Sequence, residues 1–262
     1  MTFFEAYFSG LLIIWVYVTS VWLLSVYLKN ASIVDIFWGL GFVLVSAFYF
    51  NVSIENNSRQ IIVLSLISIW GIRLSIHIFI RNLGKPEDYR YQEFRKHYGK
   101  ERYWWFSYFQ VFLLQGALIW LISAPILSVN YFETLNGLNI FDFLGMAIWI
   151  IGFIFEVGGD WQLARFKANP ANKGKLLQTG FWKYTRHPNY FGDAAVWWGF
   201  AMFSIAAGSF IPVISAVLMS WLLLKVSGVT MLERTLINTK PGFDKYVKQT
   251  SAFIPWFPKT IN

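Results

Sequence analysis

The chain has 262 residues, of which 56% are hydrophobic and only 14% charged, against roughly 25% charged in a soluble domain. Its net charge is +8 and it contains no Cys, which excludes disulfides, thiolate nucleophiles and Cys-based metal sites. The three His residues are scattered without ligand spacing, so no metal site is expected.

The apolar residues fall in long blocks, too many for the polar surface to cover as a soluble core, and the chain reads as an all-α integral membrane protein. In chain order the predicted spans are roughly 4–27, 33–50, 61–80, 106–128, 140–158, 189–207 and 209–228, about seven in all. The opening MTFFEAYFSG has neither a basic n-region nor a small-residue cleavage site, so the first span is expected to be retained. The whole of 1–262 is expected to form a single membrane domain.

Charge orients these spans. The segment 81–105 holds seven Lys/Arg, 159–188 holds six, and the chain from Lys225 onward holds six. Lys29 lies in the first short loop, whereas 51–60 carries only Arg59, and 129–139 and the turn near 208 carry none. Basic and non-basic segments alternate, which by the positive-inside rule puts the N-terminus outside and the C-terminus in the cytoplasm. The segment 81–105 is predicted to turn at Gly84–Pro86 and continue as an amphipathic surface helix with headgroup-layer Tyr and Trp. The segment 159–188 is predicted to extend the fifth span and then break at Asn169-Pro170 and Lys173-Gly174. The C-terminal 229–262 reads as a helix, a Pro-Gly turn, a second helix and an aromatic anchor. No nucleic-acid partner is implied.

Ionisable residues at membrane depth are costly and point to function or to structural pairing. Asp35 lies at the start of the second span, and an ion pair with Arg73 is one structural reading of it. Arg73 and His77 are spaced i, i+4 on one face of the third, and Glu156 and Asp160 are spaced likewise at the end of the fifth. The richest stretch is KYTRHPNYFGDAAVWWG. Pro188 suits the first turn of a helix, whose free N–H groups would then favour an anion. Asn189, Asp193 and Trp197 follow at i, i+4, i+8, so an amide, a carboxylate and an indole share one face. Lys173, Lys175, Lys183 and Arg186 supply positive charge upstream. The layout suits a ligand with phosphates at the surface and a planar hydrogen-bonding group deeper, the shape of a nicotinamide cofactor.

The block GFWKYTRHPNYFGD with Trp197 resembles the C-terminal signature of the steroid 5α-reductase superfamily, which includes the sterol C14 and C7 reductases. SIVDIFWG, EDYRY at 87–91 and the ending LE---------PGF--Y---TSAFIPW extend the similarity over nearly the whole chain, which looks like the bacterial DUF1295 branch. The resemblance implies a membrane reductase in a bacterial inner membrane, with NADPH bound from the cytoplasm and hydride passed to a conjugated C=C of a lipophilic enone drawn from the bilayer lipids. It implies cofactor contacts from Asn189, Asp193 and Trp197, with Arg186, His187 and Tyr190 of the same motif. Asn82 and Lys85 of NLGKP resemble a cofactor loop, Lys167 a phosphate-contacting position, and Glu233 and Tyr246 positions of the segment closing the site.

Steroid 5α-reductases hold the substrate ketone with a Gln-Glu pair that this chain lacks. Asp35, preceded by Val34, stands near the Glu position, and a buried, protonated Asp35 or else His77 or a Tyr is the expected proton donor to the carbonyl oxygen. Isoprenylcysteine methyltransferases carry a related RHP-Y motif, so an S-adenosylmethionine-dependent methyltransferase is the alternative enzyme. A lipid-binding or scaffold protein is the non-enzymatic alternative. The sequence leaves the oligomeric state open.

Overall fold

A computed structural model describes residues 1–53, 57–132, 137–226 and 228–260. Among these residues there is no β-strand, only an isolated parallel bridge between Thr185 and Ser251. The all-helical expectation therefore holds. Six helical stretches are long and apolar enough to cross a bilayer: Phe3–Leu28, Ile33–Val52, Ser58–Asn82, Tyr103–Tyr131, Ile140–Ala168 and Val213–Thr239. The seventh expected span, 189–207, forms the 19-residue helix Pro188–Ala206 but is not among the six. Its Asn189, Gly192, Asp193 and Gly199 dilute its apolar content, and most of its residues are buried within the protein. Parts of two expected short loops, 54–56 and 133–136, lie outside the described residues, as does Ser227.

Where the sequence suggests one domain, the chain divides into two compact units. The first comprises Met1–Leu138 with Ala207–Ser209. It contains α1 (Phe3–Leu28), α2 (Ile33–Val52), α3 (Ser58–Asn82) and the short surface helix α4 (Tyr89–Tyr98). The fourth span is composite: α5 (Tyr103–Ser107), a π-helical turn over Tyr108–Leu113, α6 (Leu114–Ile122) and α7 (Ala124–Tyr131). In α1 the buried residues Ala6, Gly10, Ile14, Val18, Val21 and Ser25 recur at helical spacing, while Phe4, Phe8, Leu12 and Leu23 are exposed. An apolar face this large is stable only against hydrocarbon. The helices α2 and α3 touch at glycine: a Cβ on Gly71 would lie 2.6 Å from the Gly39 carbonyl oxygen.

The second unit comprises Asn139–Ala206 with Phe210–Asn262. Its elements are α8 (Ile140–Ala168), the one-turn α9 (Phe181–Tyr184), α10 (Pro188–Ala206), α11 (Val213–Trp221), α12 (Val229–Thr239) and α13 (Phe243–Gln249). Asn139 starts α8 with a capping box, accepting from Phe141 N–H while Asp142 accepts from Asn139 N–H at 2.7 Å. The helices α8 and α10 pack along glycines seven apart, Gly145, Gly152 and Gly159 on one and Gly192 and Gly199 on the other. A Cβ on Gly152 would lie 2.6 Å from the Gly192 carbonyl oxygen, and one on Gly199 would lie 2.9 Å from that of Gly145. That close seam holds the start of α10 beside Gly159 and Asp160.

Candidate functional site

In the second unit the RHPNY block sits at the junction of α9 and α10, where the chain must leave one helix and enter another. Thr185 is extended and fully buried, and its hydroxyl donates to the Phe253 carbonyl at 2.8 Å. Arg186 N–H donates to Ser251 O at 2.9 Å, and Trp256 N–H to Tyr184 O at 2.9 Å. The C-terminal segment is thus laid along 184–186 by backbone bonds on both sides of Thr185.

The Arg186 side chain completes this attachment. It is only 6% exposed and forks onto Glu233 of α12, Nε to Oε1 at 2.8 Å and Nη2 to Oε2 at 3.2 Å. Its Nη1 donates to the carbonyls of Val247 and Thr250. His187, also buried, shares the carboxylate, with Nε2 3.0 Å from Glu233 Oε1, and its ring stacks on Tyr190 at 5.7 Å. Tyr246 of α13 donates its hydroxyl to the Trp182 carbonyl, and burial raises its pKa above the usual phenol value. Trp182 in turn donates from Nε1 to Gly159 O at 3.1 Å.

One expected role changes here. Arg186 was a candidate phosphate ligand at the surface, but all three guanidinium nitrogens are engaged inside the protein. Arg186, His187, Glu233 and Tyr246 together fasten the C-terminal segment to the start of α10. Lys167, in the last turn of α8, is exposed, as are Lys173, Lys175 and Lys183.

The expected amide–carboxylate–indole face is present on α10, which begins at Pro188. Asn189 and Asp193 are half-buried and Trp197 is fully buried. Asn189 donates from Nδ2 to Asp160 Oδ1 at 3.0 Å, so the pair spans α8 and α10 across the glycine seam. Asp160 was legible as a polar residue at depth, but its pairing with Asn189 was not.

The remaining predicted residues lie in the first unit. Asp35 occupies the first turn of α2, where it accepts from Arg90 Nη2 at 2.7 Å and from the Tyr91 hydroxyl at 2.7 Å. Arg90 also donates from Nε to Asp88 at 2.9 Å. Burial opposes ionisation of Asp88, yet its bonds to Arg90 outweigh this and leave its carboxyl below the ordinary value. Burial and then the Asp35 charge push Tyr91 well above the usual phenol value. Both oxygens of the Asp35 carboxyl are thus occupied as hydrogen-bond acceptors, by a guanidinium and a phenol. Arg90 and Tyr91 were missed as site residues although the EDYRY segment was singled out. Their spacing of 55 and 56 residues from Asp35 carries no local signal. His77 is half-buried on α3, Asn82 ends α3, and Lys85 is exposed and donates to the Arg81 carbonyl.

Residues 21–250 match the family described as "Protein of unknown function (DUF1295)", a span that reaches into both units and takes in every predicted site residue. The chain belongs to the DUF1295 family. Over 94% of its length this DUF1295 protein is 24% identical to an uncharacterized protein of Schizosaccharomyces pombe, covering 78% of that relative. A 60-residue stretch, 23% of the chain, is 30% identical to 3-oxo-5-alpha-steroid 4-dehydrogenase 1 of Mus musculus and to that of Rattus norvegicus. It spans 24% and 23% of those two enzymes, so this likeness is partial and distant. No solved structure matches the chain.

Proposed function

We propose that this DUF1295 protein is a bacterial inner-membrane reductase that takes NADPH from the cytoplasm and reduces a conjugated C=C of a lipophilic enone. The observation that carries the reading lies at the start of α10: the half-buried Asn189 and Asp193, with the buried Asp160 of α8 bonded to Asn189, over a buried indole. The partial likeness to two steroid 4-dehydrogenases supports the same chemistry. The basic loops 81–105 and 159–188 support a cytoplasmic position for the site.

These residues fit a nicotinamide cofactor. A carboxamide needs one donor and one acceptor held in fixed orientation, and Asn189, anchored through its Nδ2 on Asp160, keeps its carbonyl end for that purpose. The phosphates fall to the exposed lysines Lys167, Lys173, Lys175 and Lys183 of the same unit, because Arg186 is consumed by Glu233. When bound, the nicotinamide supplies the hydride. The chain's own part is to orient the ring, keep water out and provide the proton that balances the two-electron reduction. With Arg90 and Tyr91 both donating to it, Asp35 serves as a hydrogen-bond acceptor, and the proton donor is sought in His77 or a Tyr.

Thermal unfolding of detergent-purified protein with NADPH, NADH or S-adenosylmethionine tests this. A ligand at 100 times its Kd stabilises by about 2.7 kcal/mol. A shift with NADPH that Asn189→Ala abolishes supports the reductase. A shift with S-adenosylmethionine alone makes the protein a methyltransferase. No shift with any of the three, in protein verified free of bound nucleotide, returns it to a lipid-binding role.

A further inference from the structure

The first unit carries a second feature, independent of the reductase reading. A cleft of about 380 Å³ opens between the end of α1, the residues that follow it and the start of α5. Three cations line it, Lys29, Arg95 and Lys100, together with Tyr103, Ser25 and Ser107, and no acidic residue does. Only Arg95 is neutralised, by Glu87 at 2.9 Å behind it. Lys29 and Lys100 have no ion-pair partner among the described residues, so the cleft carries an uncompensated double positive charge.

Tyr103 gives the second, independent observation. The residue is 1% exposed, and its hydroxyl oxygen is buried without a hydrogen-bond partner. Its ring is held under the Arg95 guanidinium, 4.6 Å from the ring centroid. A buried hydroxyl left unpaired calls for an explanation, and a missing ligand is one of the few available. Lys29 is also the one non-glycine residue with positive φ, 53°, among the described residues. Glycine takes that position at a helix end with less strain, so a long cationic side chain is kept there against backbone preference. Beside the cleft the indoles of Trp22 and Trp104 stack at 6.1 Å, and Trp22 donates to the Trp104 carbonyl at 2.8 Å. Such indoles mark the headgroup layer.

We infer that this cleft binds a phosphate group, with Lys29 and Lys100 meeting its charge and the Tyr103 hydroxyl donating to one of its oxygens. An anionic phospholipid headgroup and a soluble phosphate ester present the same chemistry. The test measures binding by native mass spectrometry and thermal shift on the full chain in detergent. The probes are dioleoylphosphatidylglycerol, dioleoylphosphatidylcholine and glycerol 3-phosphate. Wild-type protein is expected to retain phosphatidylglycerol, with roughly tenfold or greater weakening in Lys29→Gln/Lys100→Gln and a smaller loss in Tyr103→Phe. Lys29→Arg/Lys100→Arg should restore binding, which separates charge from folding. If glycerol 3-phosphate binds with the same dependence, the inference holds with a free phosphate ester as ligand. Binding of none of the probes, or binding indifferent to both the Gln and the Phe variants, overturns it.

Discussion

Each unit has an arginine bound to a carboxylate from a distant part of the chain, but the two are built differently. In the second unit Arg186 is 6% exposed and serves one carboxylate, Glu233, plus two backbone carbonyls, so the guanidinium itself is closed off from water. In the first unit the Arg90 side chain is 28% exposed and divides itself between Asp35 and Asp88. The first arrangement is a fastening, because removing the arginine leaves Glu233 with His187 alone and strips two backbone carbonyls of their donor at once. The second is a graded network with water close enough to replace a lost partner. Burial, and not the number of charged residues, sets what each cluster contributes.

Arg186→Ala should break this contrast most sharply. It is expected to cost about 3–5 kcal/mol, the penalty for removing one partner of a largely buried ion pair. Denaturant unfolding in mixed micelles would read that loss, and limited proteolysis should show early cleavage within 240–262. An equal loss from Arg90→Ala would show that the two clusters are energetically alike. Substitution at the glycine crossings controls for packing: Gly152→Ala and Gly71→Ala each place a Cβ 2.6 Å from a partner carbonyl oxygen. Overpacking of this kind costs about 1–3 kcal/mol, so similar losses in the two units, measured as midpoint shifts, would assign the arginine difference to electrostatics alone.

Asp35→Asn is the milder change, since Arg90 keeps Asp88. We expect about 1 kcal/mol of stability lost, and a fall in turnover of an identified enone larger than that if Asp35 positions the substrate. The smallest effect is one of pH. Asp88 has its folded pKa below the ordinary 3.8. Its contribution is therefore present above pH 3.8 and is lost as pH falls through the depressed folded value. Hydrogen exchange of α4 amides, followed from pH 5 downward, should show protection falling there, and Asp88→Asn should flatten the dependence.

The spans, the surface helix at 89–98 and the two C-terminal helices were legible because hydrophobic blocks, Gly-Pro turns and capping residues are local signals. The face formed by Asn189, Asp193 and Trp197 was legible for the same reason, since helical periodicity is written into consecutive residues. The glycines seven apart on α8 and α10 were also a readable signal, and reading them would have identified the close seam that brings Asp160 to Asn189. The partners of Asp35 and Arg186 were not readable: Tyr91 and Glu233 lie 56 and 47 residues away, and nothing local marks the pairing.

By itself the sequence determined an all-helical membrane protein, because a chain this apolar satisfies its backbone in lipid only by folding each span on itself. It also determined where the polar residues of the RHPNY block stand along their helix. Only the tertiary structure decided which charges are spent on holding the protein together. An arginine at the mouth of a helix reads the same whether it meets a ligand or a buried glutamate, and the difference lies in how much water remains around it.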